Sequence, residues 1–171
     1  PFKRYVKTVM RVEFPGWIAR KRKGGDAYIA AGAVAAKQYA WYWTTRKPRY
    51  KVGGRCFDVY DNVRDQVYKP GKKQSAAAEA RTNRAVESTW TRIIRRRKAG
   101  GGSEFVLPFY LHDRSRAAGA CGGTPPGYKR GYRMFRSNAL TCAKRGKDAN
   151  TILARSYTPR AKRNAFVVIP R

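Results

Sequence analysis

An α+β fold, small and irregular, with two helices over about residues 26–45 and 76–98, short strands and long basic extensions, follows from three observations in the 171-residue sequence. Two stretches combine helical apolar spacing with an opening N-cap residue and a closing breaker. Short apolar runs separated by Gly, Pro and Arg fill the second half. Lys and Arg number 39 against 10 Asp and Glu, and the resulting charge of +29 is spread over the whole length.

Residues 1–25 read as a basic arm or edge strand. In "PFKRYVKTVMRVEF", Thr8, Met10, Val12 and Phe14 alternate with Val9, Arg11 and Glu13, the pattern of a half-buried strand. Glu13 is the single acid of this segment, a composition that also fits an uncleaved organellar presequence.

Residues 26–115 form the helical core region. The first helix opens at Asp26 and ends near Thr45, before Pro48. Its stretch Ala27 to Trp43, "AYIAAGAVAAKQYAWYW", comes nearest to a membrane span, but it is Ala-rich and carries Lys37 and Gln38 near its middle. A small-residue helix packed closely against its neighbours fits better. Between the two helices, "CFDVYDNVRDQVY" fits either a strand (Phe57, Val59) or a helix face (Tyr60, Val63, Val67), and Asp58, Asp61 and Asp65, at spacings of three and four, could cluster on one helical face; with no neighbouring His they are expected to pair with arginines rather than to hold a metal. Ser75 N-caps the second helix, and "AGGGS" ends it. Residues 116–171 read as a Gly/Pro/Arg-rich extension with a short C-terminal strand in "AFVVIP".

Cys56, Cys121 and Cys142 are odd in number and suit neither a disulfide framework nor a C-x-x-C clasp. They are expected to be buried or idle thiols in a reducing compartment. No catalytic motif is found, and His112 beside Asp113 lacks a nucleophile. The expectation is no enzymatic activity, no cofactor, no metal and no small-molecule substrate.

Charge and aromatic residues dominate the functional reading. On a helical wheel Arg81, Arg84, Arg92, Arg95 and Arg96 span about 120°, opposite Val86, Trp90, Ile93 and Ile94. With Arg97, Lys72, Lys73 and the segment Tyr128, Lys129, Arg130, Tyr132, Arg133 and Arg136, they form the candidate RNA-binding set. Such cations hold phosphates while aromatic rings stack on bases.

The distributed Arg/Lys, the Gly/Pro-punctuated "GACGGTPPGYKRGYR" and the basic-faced helix resemble ribosomal proteins as a class. The resemblance implies a structural constituent of the ribosome that binds rRNA and neighbouring ribosomal proteins. Mitochondrial ribosomes are favoured over cytosolic or plastid ones. Two alternatives are a subunit of an organellar membrane complex anchored near 27–43 and a nucleic-acid packaging protein.

Overall fold

The structure, a computed structural model, describes residues 1–18, 22–46, 50–98, 100–111, 120–125, 127–129, 131–158 and 165–168. It is a small mixed α+β domain, the class that the sequence predicts.

Helix α1 spans Phe2–Glu13, where a strand was expected. Val6, Val9 and Met10 are buried and Phe2 and Tyr5 pack against the same core. Positions 2, 5, 6, 9 and 10 follow the i, i+3, i+4 spacing of a helix face, and this longer pattern overrides the local alternation.

Helix α2, Gly25–Thr44, matches the first expected helix to within one residue at each end. It is buried from Ala31 to Ala40 without a break, as a helix surrounded on every side must be. Helix α3, Ala76–Ser88, packs on α1 and α2. Its N-cap is Ser75, whose hydroxyl accepts from the Ala78 N–H at 3.4 Å. Ala and Gly along α2 allow close approach: a Cβ on Gly32 would lie 2.4 Å from the Phe14 ring.

The second helix stops ten residues short of its expected end. Residues Ile93–Arg97 are a strand, β3 of this fold. Before it, β1 (Tyr50–Val52) and β2 (Arg55–Phe57) form a hairpin through Gly53 and Gly54, both at positive φ. Strand β3 pairs antiparallel with β4 (Ser103–Phe105) and with the C-terminal β7 (Ala165–Val168). β-branched Ile93 and Ile94 favour this extended backbone, and both remain buried, so the inward side of the wheel was right although the geometry was not. Buried Gln38 clips α2 to β3: its Nε2 donates to the Ile94 and Val106 carbonyls at 2.8 and 2.7 Å, and its Oε1 accepts from the Ile94 N–H at 2.6 Å.

Strands β5 (Phe109–Leu111) and β6 (Arg133–Phe135) pair in parallel, and helices α4 (Arg136–Lys144) and α5 (Ala149–Tyr157) complete the domain against α2. Cys121 and Cys142 form a disulfide that ties the loop before β6 to α4. Two of the three thiols are therefore neither idle nor reduced. No helix among the described residues is long and apolar enough to cross a membrane; residues 27–43 lie in α2, whose stretch from Ala31 to Ala40 is buried in the core while Trp41 is exposed.

Candidate active site

Glu13 is the last residue of α1, and its side chain is 13% exposed. Two donors fix the carboxylate. Oε1 accepts from the Val67 N–H at 3.1 Å, and Oε2 accepts from Arg136 Nη1 at 2.7 Å. The same Nη1 donates to the Glu13 carbonyl at 2.5 Å. Three separate segments thus converge on one acid: the end of α1, the loop before α3, and the first residue of α4.

The surroundings are aromatic. Phe14, against which Arg136 also lies at 5.7 Å, meets Tyr28 at 5.4 Å and Tyr110 at 5.1 Å between ring centroids. Burial pushes the Tyr28 hydroxyl up to about 12, with the Arg136 charge opposing and the Glu13 charge assisting. Burial holds Tyr110 well above the usual tyrosine range, and Glu13 adds to that. These phenols remain neutral through the physiological range and wall the site, the Tyr110 hydroxyl accepting from Gln66 Nε2.

Gln66 places Val67. It is fully buried, donates to the Ala36 carbonyl at 2.9 Å and the Tyr110 hydroxyl at 2.8 Å, and accepts from the Tyr5 hydroxyl at 3.0 Å. Beside it, Asp65 accepts from the Tyr39 hydroxyl at 2.5 Å and the Tyr60 N–H at 2.9 Å. Asp58, Asp61 and Asp65 therefore share no helical face; they sit in the loop that presents Val67 to Glu13. Among the described residues no group of His, Cys, Asp and Glu is arranged to hold a metal.

The candidate RNA-binding residues do not converge on one surface. Arg81 pairs with Asp26 at 3.2 Å. Arg84, Arg97, Lys72 and Lys73 are exposed. Arg92 donates to Asn150 at 3.3 Å, Arg95 grips Ser103, and Arg96 ties the Gly131 and Tyr157 carbonyls together. Arg136 belongs to the Glu13 site. Arg96, Lys129, Tyr132 and Arg133 line a cavity of about 570 Å³, where Lys129 and Arg96 each lie 4.9 Å from the Tyr132 ring. Tyr128, 44% exposed, stands 5.1 Å from the Arg133 guanidinium. Arg130, His112 and Asp113 lie outside the described residues.

Sequence reasoning passed over Glu13. Its one signal was isolation: a lone acid in a strongly basic segment, where a carboxylate with no structural or chemical task is out of place.

Fold and site define a small α+β domain that fixes a largely buried carboxylate among aromatic walls. The family model SpoIID, stage II sporulation protein, matches residues 1–95, more than half of the chain, and the chain belongs to that family. No curated protein and no solved structure matches it. The matched part contains Glu13, Gln66 and Val67.

This family overturns the ribosomal resemblance and what it implied. The chain is not assigned to a ribosome, to rRNA and ribosomal neighbours, to nucleic-acid packaging or to mitochondria, because the family is one of bacterial sporulation. A surplus of cations reports that a polyanion is nearby, not which one.

Proposed function

We propose that this chain acts on the glycan strands of the bacterial cell wall, with Glu13 as its acid–base group. The family is associated with lytic transglycosylase-like activity, and the reading departs from the sequence-based expectation of no catalysis. The observation that carries it is the placement of Glu13: a carboxylate inside the family-matched segment, 13% exposed and held by Val67 and Arg136.

One carboxylate is enough for such chemistry when the attacking hydroxyl belongs to the substrate. Protonated Glu13 gives its proton to the bridging oxygen, and the bond from that oxygen to the sugar carbon breaks. A hydroxyl of the same sugar closes on that carbon and returns its proton to Glu13. Atoms balance with no water consumed.

Two further features support a site outside the cytoplasm. The Cys121–Cys142 disulfide suits an oxidising compartment. The charge of +29 suits a polyanionic surrounding such as a wall.

Turbidity of isolated peptidoglycan tests the reading. The expected result is clearing by the protein and a loss of at least about a hundredfold in rate for Glu13→Gln, by the usual weight of a general acid. An undiminished rate in that variant, with the fold intact, sinks it.

A further inference from the structure

The charge surplus is not absorbed by the site at Glu13. A separate groove of about 360 Å³ runs between α1, the loop after Val67 and α3, lined by Lys3, Arg4, Lys7, Arg11, Tyr68 and Asn83. The cations recur along α1 at intervals of about one turn, or roughly 6 Å for four residues. Two acids offset them: Glu87 takes Lys3 at 2.8 Å and Lys7 at 2.7 Å, and Glu79 takes Arg11. Arg4 is exposed and pairs with no acid among the described residues. Lys69, Lys72 and Lys73, all exposed, follow Tyr68 in the chain.

The groove also carries an unmet polar atom. Asn83 Oδ1 is buried with no hydrogen-bond partner among the described residues, a cost that a ligand hydroxyl reaching it after a small side-chain rotation would remove. A ligand with anionic groups at short, regular intervals and hydroxyls between them satisfies both features.

We infer that this groove binds a phosphodiester-linked polyol polymer of the cell wall and so holds the protein beside its substrate. The inference rests on the wall location proposed above. Nucleic acid shares the phosphate spacing, but the one aromatic ring lining the groove, Tyr68, is already stacked on Tyr5 at 5.1 Å and 16°. That leaves a poor platform for bases.

The test uses fluorescent poly(glycerol phosphate) as probe, titrated with the full chain at several salt concentrations. Binding that weakens steeply with salt is expected. Arg4→Gln with Lys7→Gln should weaken it at least tenfold, and Arg4→Gln alone several-fold. The charge-matched pair Lys144→Gln with Arg145→Gln, exposed at the C-terminal end of α4 and absent from the groove's lining, should change it less than twofold. Equal weakening by the two pairs means diffuse charge only and overturns the groove. So does tighter binding to single-stranded DNA, or to anionic lipid vesicles, at matched charge. The same titration on Glu13→Gln should match the unaltered chain. If Glu13→Gln also leaves wall cleavage intact, the catalytic reading fails while the groove stands.

Discussion

Arg136 Nη1 stands 2.7 Å from Glu13 Oε2 and donates to the Glu13 carbonyl as well, so one guanidinium fixes both the side chain and the backbone of the residue that closes α1. Both side chains are largely enclosed, at 16% and 13% exposure. Removing one member of such a pair leaves the other without compensation, at a cost of about 3 kcal/mol. Arg136→Gln should therefore lower the thermal midpoint measurably and reduce wall cleavage at least tenfold, through a loosened Glu13. Arg136→Lys should recover part of the stability and little of the rate, since an ammonium cannot reproduce the forked geometry. Calorimetry and cleavage rates on the two variants check this.

Gln66 satisfies the Tyr5 hydroxyl, the Tyr110 hydroxyl and the Ala36 carbonyl at once. Gln66→Leu nearly keeps the volume and leaves the Tyr5 and Tyr110 hydroxyls without this partner, which should cost about 3 kcal/mol in denaturant unfolding. The adjoining Val67 N–H loses its mooring, so cleavage should fall further than Glu13's unaltered chemistry explains.

The disulfide between Cys121 and Cys142 closes a segment 21 residues apart. A loop of that size constrains the unfolded chain by about 3 kcal/mol. Reductant, or Cys142→Ser, should lower the urea midpoint by a corresponding amount, and an unchanged midpoint under reduction would contradict the bond.

Lys37 is buried in the middle of α2, where its Nζ donates to the Trp90 and Arg92 carbonyls, both at 2.5 Å, and burial pulls its pKa down to about 8. Between about pH 8 and 10.5 the unfolded chain holds this proton and the folded chain does not, so stability rises with pH across that window. Tyr110 and Tyr157 are shifted the other way by burial, stay protonated in the folded chain, and withdraw stability above pH 10 as they ionise in the unfolded one. A thermal midpoint that peaks between about pH 8 and 10 is expected, with Lys37→Met removing the rise.

Much of the fold was legible in the sequence, and its failures have physical causes. Helix α2 declared itself because Asp26, the Ala-rich run and Pro48 agree. Helix α1 did not, because the seven residues from Thr8 to Phe14 alternate while the face that decides burial needs Phe2 and Tyr5 to be seen. The end of α3 was misplaced because Val86, Trp90, Ile93 and Ile94 satisfy a helical wheel and equally well a helix, a turn and a β-branched strand. The pairing with residues 165–168 that makes Ile93–Arg97 a strand lies some seventy positions away, beyond any local window. Glu13 became visible only when Val67 and Arg136, distant in sequence, were brought to it. Arg136 was among the residues picked for phosphate contact; its partner is a carboxylate of the same chain.

The most direct measurement is mass analysis of the ends released when purified glycan strands are incubated with the protein. The account predicts new sugar ends closed on themselves, with no water taken up, and none from Glu13→Gln of unchanged thermal midpoint. Ends that appear equally with that variant, or no new ends from the unaltered chain, would contradict it.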